Sequence, residues 1–231
     1  MLDIFKILTA IFMKRSLTLL FCCSLLLFSI GQLAAQPFIK DIENFRHQDS
    51  VQTPPANPVL FVGSSSFTLW KDVKDYFPSC NILNRGFGGS GLSHQIMYAE
   101  DVIFKYHPKQ IVIYCGENDL APGLDPAVIT NRFKELYSLI RSRLPDVPVA
   151  YISMKPSISR EQYLPIMKKA NKQISKFLRK EKKAVFIDVF HAMLNKDGSI
   201  RKDIFLADNL HMNKEGYKIW QPLIAPHLIR D

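Results

Sequence analysis

Four short motifs hold the residue types in this chain that could do chemistry. In chain order they are Gly63-Ser64-Ser65, Gly88-Gly89, Gly116-Glu117-Asn118-Asp119 and Asp208-Asn209-Leu210-His211. They supply a serine hydroxyl, backbone and side-chain N–H groups suited to an oxyanion, and an acid close to a histidine. Each motif is common by itself. Their combination is what hydrolysis of an acyl ester by a serine nucleophile requires.

A serine and a histidine form the reacting pair of this hypothesis. Neutral serine is a weak nucleophile, so the hydroxyl of Ser65 needs a base that takes its proton during attack. His211 is the candidate base, because an unperturbed imidazole is largely neutral at neutral pH. Asp208, three residues earlier, can accept a hydrogen bond from the other ring nitrogen and stabilise the imidazolium that forms.

The tetrahedral intermediate of such a reaction needs hydrogen-bond donors directed at its oxyanion. Three donors are predicted, namely the backbone N–H groups of Ser65 and Gly89 and the side-chain amide of Asn118. Glycine at position 89 would let a substrate approach the backbone closely.

Other residues compete for the serine and acid roles on spacing alone. Ser64 and Ser66 flank Ser65, although the Gly-x-Ser register favours the middle hydroxyl. Asp188, at the end of a predicted strand, is the best rival acid. The remaining histidines have no paired carboxylate at a comparable spacing in a motif, so we expect them to be surface or packed residues. They are His47, His94, His107, His191 and His227.

Four charged residues near the motifs are assigned other roles. Glu117 and Asp119 are expected to brace their loop. Lys155 and Arg160 lie in the loop after the fourth predicted strand, where they could contact an anionic group of the substrate or simply be solvated. No cluster of His, Cys and Asp has metal-ligand spacing, and no phosphate-binding glycine loop occurs in the sequence, so no metal and no cofactor are predicted.

Five apolar segments predict the strands that position these motifs. They span residues 59–62, 82–83 with their flanks, 111–115, 147–152 and 184–187. Continuous apolar runs separated by helical patterns are typical of parallel strands buried on both faces. The sequence therefore predicts an α/β fold, a three-layer α/β/α sandwich with a mostly parallel five-stranded sheet. Three of the four motifs follow a predicted strand, at the edge where open α/β sheets bind ligands.

Capping residues predict where several helices begin. Asp125-Pro126 predicts an N-cap followed by proline in the first turn, and Ser159 with Gln162 predicts a capping box. Asn213 is expected to cap the last helix. Lysines repeat every four residues along the helix after Ser159, which indicates a solvated face. They are Lys168, Lys172, Lys176 and Lys180.

The first 35 residues have the order of a secretory signal peptide. The basic pair Lys14-Arg15 precedes an apolar stretch over residues 16–30, and small residues at 34–35 offer a cleavage site. Initiation at Met13 and an uncleaved membrane anchor are the alternatives. The predicted organisation is a signal peptide over residues 1–35, an extended lead-in over 36–57 and one folded domain over 58–231, secreted or periplasmic after cleavage.

Net charge and cysteine positions bear on two questions, whether the protein binds nucleic acid and whether it contains a disulfide. The net charge is +9, but the lysine-rich face described above accounts for much of the basic excess, and no aromatic residues interleave with it. Nucleic-acid binding is therefore not expected. Cys22 and Cys23 lie in the predicted signal peptide. Cys80 and Cys115 could form a disulfide, yet they lie at opposite ends of predicted strands, which favours two buried free thiols.

The order Gly-x-Ser, Gly, Gly-x-Asn-Asp and Asp-x-x-His resembles the four blocks of the SGNH hydrolase superfamily, also called GDSL lipases and esterases. The resemblance covers roughly residues 59–228. It implies a flavodoxin-like SGNH fold with Ser65 as the nucleophile. It also implies Asp208 and His211 as the other triad members, and Gly89 and Asn118 as oxyanion donors.

Further similarity points to one branch of that superfamily. Residues 61–63, 84–89 and 208–217 resemble the branch that includes platelet-activating-factor acetylhydrolase catalytic subunits and bacterial carbohydrate acetylesterases. One position departs from the family, because Ser64 stands where an aspartate usually precedes the nucleophile. The resemblance implies a serine esterase for short acyl esters, acetyl esters of carbohydrates included, and the signal-peptide pattern of residues 1–35 predicts that it is exported. A non-catalytic glycan-binding domain and an acyltransferase using a sugar hydroxyl as acceptor are the alternatives.

Overall fold

The computed structural model describes residues 36–121 and 123–231. The chain divides into two units, Met1–Ile39 and Lys40–Asp231. In the first unit only residues 36–39 are described, and the second unit contains the sheet and every motif discussed above. The predicted signal peptide, the alternative start at Met13 and the first two cysteines lie outside the described residues.

Five strands form one parallel sheet in the second unit. The strands are β1 (Val59–Gly63), β2 (Ile82–Gly86), β3 (Gln110–Tyr114), β4 (Val149–Ile152) and β5 (Ala184–Ile187), in the spatial order β2-β1-β3-β4-β5. In β1, which lies between β2 and β3, Phe61 is paired with Asn84 on one side and Val112 on the other. Each of the five apolar segments therefore forms a strand, as predicted.

Helices connect and cover the strands. They are α1 (Ile39–Val51), α2 (Ser65–Thr68), α3 (Val73–Tyr76), α4 (Leu92–Met97), α5 (Ala99–Val102), α6 (Pro126–Arg143), α7 (Leu164–Leu178) and α8 (Lys214–Ile224). Short 3₁₀ helices span Phe104–Tyr106, Glu117–Asp119, Ile158–Tyr163, His191–Met193 and Ala225–His227. In the described ranges, none of the helices is long and apolar enough to cross a bilayer.

Helices cover both faces of the sheet, and successive strand residues point to opposite faces. On one face Tyr114 packs on Trp220 of α8, with ring centroids 4.8 Å apart. On the other face Tyr151 of β4 packs on Phe133 of α6, with centroids 4.5 Å apart. The predicted three-layer α/β/α sandwich is confirmed, and all strand pairs are parallel.

Two of the three predicted helix starts are confirmed. Asp125 Oδ1 accepts a hydrogen bond from Ala127 N at 2.8 Å, and Asn213 Oδ1 accepts from Glu215 N at 2.9 Å. The predicted capping box at Ser159 is wrong, since residues 158–163 form a 3₁₀ helix and α7 begins at Leu164. This start places a proline in the first turn, where its missing N–H costs no helical hydrogen bond. The lysine-rich face of α7 is exposed, as predicted.

Residues 39–51 are helical, so the prediction of an extended lead-in over 36–57 is wrong for most of its length. Helix α1 buries Ile42 and Phe45 in the second unit. Asp49 forms an ion pair with Arg85 of β2, whose guanidinium lies 5.1 Å from the ring centre of Phe45. The apolar spacing of three residues suits one helix face, and the folded unit begins at Lys40, earlier than the predicted residue 58.

Both described cysteines are free thiols. Cys115 is buried, and burial raises the pKa of its thiol well above the ordinary value. Cys80 is only half-buried, so the prediction of two free thiols is confirmed and the prediction that both are buried holds for Cys115 alone.

Candidate active site

The turn between β1 and α2 presents one hydroxyl to solvent. Gly63 has a φ of +150°, and a Cβ there would lie 1.9 Å from the carbonyl oxygen of Tyr114, so glycine is required. Ser64 N donates to that same carbonyl at 3.0 Å. The side chains of Ser64 and Ser66 are buried, each residue being 2% exposed, whereas Ser65 is partly exposed. Of the three candidate serines, Ser65 is therefore the one that is not buried.

The Gly-Gly loop after β2 passes beside this serine. A Cβ added to Gly88 would lie 3.8 Å from the Cβ of Ser65. Gly89 has a φ of +81°, a left-handed conformation that favours glycine. Phe87 N donates to Gly63 O at 2.9 Å, which ties the start of the loop to the end of β1. The predicted oxyanion donor at Gly89 therefore belongs to a loop adjacent to Ser65.

Asn118 lies in the 3₁₀ helix that follows β3, and hydrogen bonds hold its amide at both ends. Its Nδ2 donates to Ser90 O at 3.1 Å, and its Oδ1 accepts from Arg160 Nη2 at 3.0 Å. No other described residue accepts the second Nδ2 proton. A fixed amide with one proton to give is the arrangement that oxyanion stabilisation needs.

Asp208 and His211 are joined directly. The carboxylate Oδ2 lies 2.6 Å from His211 Nδ1, and Oδ1 accepts the backbone N–H groups of Leu210 and His211, both at 2.9 Å. The hydrogen bond from the His211 side chain and those from the two backbone N–H groups lower the pKa of Asp208 from 3.8 to about 2. Asp208 therefore remains a carboxylate that holds the imidazole through Nδ1, and the other ring nitrogen is left for proton transfer.

The link between the serine and the histidine runs through α8. Tyr217 on this helix donates its hydroxyl proton to Ser66 O at 2.8 Å. Because His211 lies in the loop that leads into α8, this contact connects the histidine loop to the serine turn. No hydrogen bond joins the Ser65 hydroxyl to His211 in the described part of the chain. Catalytic hydrogen bonds are often longer in unliganded sites and shorten when a substrate binds.

Lys155 is buried, so the prediction that it contacts substrate is wrong, as is the alternative that it is solvated. Its side chain is 1% exposed. The ammonium donates to both carboxylate oxygens of Glu117 at 3.2 Å and to Leu210 O at 2.8 Å. Three acceptors use the three protons of the ammonium, which leaves none for a ligand.

Arg160 braces the oxyanion loop. Besides Asn118 Oδ1, its guanidinium donates to Glu117 O at 3.2 Å. It remains partly exposed, so contact with substrate stays a prediction. The bracing roles of the two acidic residues are confirmed, because Asp119 accepts from Leu92 N at 2.9 Å and Glu117 holds Lys155.

Asp188 is hydrogen-bonded to a different histidine. Its Oδ2 lies 2.6 Å from Nδ1 of His191, and the side chains are 45% and 77% exposed. The expectation that His191 has no paired carboxylate at comparable spacing is therefore wrong, since this pair has the same three-residue spacing as the motif pair. The other histidines are surface or packed residues, as predicted.

Two residues join the loops: sequence reasoning gave Lys155 a different role and missed Tyr217. The position of Lys155, three residues after the end of the buried strand β4, is the one local signal that could have indicated its burial. The partner of Tyr217 is 151 residues away, which no local pattern can indicate. Within residues 36–121 and 123–231, no group of three or more His, Cys, Asp or Glu side chains could hold a metal ion.

The described residues include a serine that is not buried beside a glycine loop, an amide held at both ends, and an imidazole bound to a carboxylate, on loops joined by the hydrogen bonds given above. Such a set can activate an alcohol and stabilise an oxyanion without a metal. A comparison with curated proteins finds no match.

Comparisons with solved structures show the fold. A protein from Streptococcus pneumonia named as a candidate platelet activating factor superposes with a TM-score of 0.72 at 19% identity, covering 90% of this chain and 99% of that one. A GDSL-like lipase from Bacteroides thetaiotaomicron gives 0.66 at 17% identity, with coverage of 80% and 95%. A mutant of an acetyl-xylooligosaccharide esterase from Geobacillus Stearmophilus gives 0.59 at 11% identity, with coverage of 75% and 95%.

A family profile decides the assignment. The profile of the GDSL-like lipase/acylhydrolase family matches residues 63–219, which is more than half of the chain and contains all four motifs. The chain therefore belongs to the GDSL-like lipase/acylhydrolase family and is a hydrolase that acts on ester bonds.

Proposed function

We propose that this protein is an exported serine esterase that removes short acyl groups, acetyl in particular, from carbohydrates. The observation that carries the proposal is the Asp208–His211 pair, which is held at 2.6 Å in a loop tied to both the Asn118 loop and the Ser65 turn. A local acid–histidine pair becomes useful for ester hydrolysis only beside a nucleophile and oxyanion donors.

The proposed reaction proceeds through an acyl-enzyme. Ser65 Oγ attacks the ester carbonyl carbon while His211 Nε2 takes the hydroxyl proton. The tetrahedral oxyanion accepts hydrogen bonds from the N–H groups of Ser65 and Gly89 and from Asn118 Nδ2. Collapse breaks the bond to the alcohol, which leaves with the proton from Nε2.

Water then completes the cycle. His211 takes a proton from a water molecule that attacks the acyl carbonyl, and the second tetrahedral intermediate releases the carboxylic acid and restores the Ser65 hydroxyl. Asp208 stays charged throughout, because its pKa of about 2 lies far below neutral pH. Its role is to hold the ring through Nδ1 and to stabilise the imidazolium in both steps.

Exposure and similarity support a small acyl group on an exposed substrate. Ser65 is partly exposed and the His211 side chain is 24% exposed, so the site is shallow. The similar fold from Geobacillus Stearmophilus is that of an acetyl-xylooligosaccharide esterase, which supports a carbohydrate as the alcohol component. Export is proposed from residues 1–35, and a mature chain beginning at Gln36 is expected by N-terminal mass analysis.

Replacing the nucleophile tests the proposal. Ser65→Ala should abolish hydrolysis of p-nitrophenyl acetate and labelling by a fluorophosphonate while the melting temperature stays unchanged. Ser64→Ala is the matched control, since that side chain is buried and makes no capping hydrogen bond. Unchanged turnover by Ser65→Ala would remove the proposed nucleophile.

Substrate assays test the proposed acyl chain length, the carbohydrate substrate and the choice between hydrolysis and acyl transfer. Rates should fall as the acyl chain lengthens from acetyl to octanoyl, and acetylated polysaccharides should release acetate. If a sugar added as acceptor is acetylated in preference to water, the enzyme is a transferase with the same acyl-enzyme, and the hydrolytic assignment is overturned.

A further inference from the structure

The segment that follows β4, residues 153–160, contacts both the loop that contains His211 and the loop that contains Asn118. Ser159 N donates to Asn209 O at 3.1 Å, and Lys155 Nζ donates to Leu210 O at 2.8 Å. These are the carbonyls of the two residues between Asp208 and His211. The N–H groups of the loop are turned towards the Asp208 carboxylate, so the loop is held from both sides.

The same segment also holds the oxyanion loop. Lys155 forms an ion pair with Glu117, and Arg160 donates to Glu117 O and to Asn118 Oδ1. Glu117 is fixed in turn by the Tyr114 hydroxyl at 2.5 Å. Burial and the neighbouring carboxylate raise the pKa of this phenol well above its ordinary value, so it stays a proton donor.

A contribution to folding stability does not by itself explain why Lys155 and Glu117 form a buried ion pair. The side chains of Lys155 and Glu117 are 1% and 6% exposed, and burying two charges has a desolvation cost that can exceed their attraction. Well-packed apolar residues of similar volume are often as stabilising or more so. Such a pair can instead fix one geometry, and the third proton of the ammonium indicates which geometry that is here. It goes to the carbonyl directly before His211.

We propose that the Lys155–Glu117 ion pair is a positioning element of the active site, which sets the His211 loop relative to the Asn118 loop. This inference rests on the proposed function. Neither side chain is placed at the reacting atoms. Lys155 acts on His211 through the carbonyl of Leu210, and Glu117 acts on Asn118 as the residue directly before it in the chain. Small displacements of reacting groups are costly, and about 1 Å can reduce a rate by about 10²-fold.

The test replaces both charges together, because removing one would leave the other buried without a partner. Lys155→Met with Glu117→Gln keeps side-chain volume and lets the Tyr114 hydroxyl keep an acceptor. We expect kcat for p-nitrophenyl acetate to fall by about 10- to 100-fold, while KM changes by less than about threefold, because orientation and not binding is lost.

A second ion pair in the same chain provides the matched control. Asp49 and Arg85 are 14% and 7% exposed and join α1 to β2, outside the motif loops. Asp49→Asn with Arg85→Met should lower stability to a similar degree and leave kcat unchanged. If kcat falls equally in both double variants, or in neither, the positioning role is overturned.

A readout without catalysis separates this inference from the proposed function. Two-bond ¹H–¹⁵N spectra report the tautomer and hydrogen bonding of each imidazole, and His191 on Asp188 is an internal reference. In the Lys155/Glu117 variant the His211 signals should move while those of His191 stay. Unchanged His211 signals would overturn the inference even in an active enzyme. An inactive wild type whose His211 signals still move would overturn only the proposed function.

A milder variant covers the case in which the double variant does not fold. Tyr114→Phe removes the hydroxyl that fixes Glu117 and leaves both charges. A several-fold loss of kcat with shifted His211 signals supports the positioning role. No change in either measurement overturns it.

Discussion

Two Asp-x-x-His segments in this molecule have nearly the same local geometry. In Asp208/His211 and in Asp188/His191, the carboxylate Oδ2 lies 2.6 Å from Nδ1 of the histidine. In both, the histidine backbone N–H donates to Oδ1, at 2.9 Å in the first and 3.3 Å in the second. Three-residue spacing is therefore enough to form an acid–imidazole pair.

Their surroundings differ in the way that matters for catalysis. The His211 side chain is 24% exposed, and Lys155 and Ser159 hold the carbonyls of its loop. The His191 side chain is 77% exposed, in a short 3₁₀ helix after β5. The Asp-x-x-His spacing therefore determines the carboxylate–imidazole hydrogen bond but not the surroundings of the histidine. Under the proposed function, only the pair in the loop held by Lys155 and Ser159 serves the serine.

Removing each imidazole should give the largest contrast. His211→Ala should reduce kcat/KM for p-nitrophenyl acetate by about 10⁴-fold or more, because the serine loses its base. His191→Ala should stay within about twofold of the wild type. The comparison would fail if both variants lost activity equally, or if His191→Ala alone were inactive.

Neutralising each acid is a finer version of the same contrast. Asp208→Asn should lower kcat by about 10²- to 10⁴-fold, since an amide no longer fixes the tautomer or stabilises the imidazolium. Asp188→Asn has the same spacing and the same hydrogen bond but should leave the rate unchanged. Steady-state kinetics on both variants measure this, and a rate loss in Asp188→Asn would give the second pair a catalytic role.

Local patterns in the sequence predicted what local interactions determine. The strands β1 to β5 were predictable because parallel strands buried on both faces need continuous apolar runs. The caps at Asp125 and Asn213 were predictable because each hydrogen bond closes within three residues. Gly-x-Ser favoured Ser65, and the burial of Ser64 and Ser66 explains why the neighbouring hydroxyls are not equivalent.

Features that depend on distant partners were predicted wrongly or not at all. Lys155 was interpreted as solvated or substrate-binding, because nothing in its neighbourhood indicates that Glu117, 38 residues away, would bury it. Helix α1 was interpreted as part of an extended lead-in, and the partners that hold its side chains, Arg85, Asp101 and Lys105, lie more than 30 residues away. The Asp188/His191 pair shows the opposite limit, since its three-residue spacing is a local signal that the sequence prediction for His191 did not include.

Titration of Asp208 should reveal its coupling to His211. A folded-state pKa of about 2, against 3.8 for the free group, means that this carboxylate stabilises the fold above about pH 3.8 and that the contribution is lost as pH falls through 2. The largest cause is the hydrogen bond from the His211 side chain. Carboxyl ¹³C titration should therefore show the midpoint rise towards 3.8 in His211→Ala and stay near 2 in His191→Ala. A midpoint near 3.8 in the wild type would contradict the pairing.

The smallest effect concerns the helix cap that follows the histidine loop. Asn213 Oδ1 caps α8 two residues after His211, and its Nδ2 donates to Asp203 O at 2.8 Å. Asn213→Ala should lower the free energy of unfolding by about 1 kcal/mol. It should also lower kcat a few-fold, because the cap sets where the loop enters the helix. Asp125→Ala removes the equivalent cap of α6 and should cost about the same stability. Since that cap lies outside the histidine loop, its kcat should not change, and equal kcat in the two variants would mean that the cap does not position the loop.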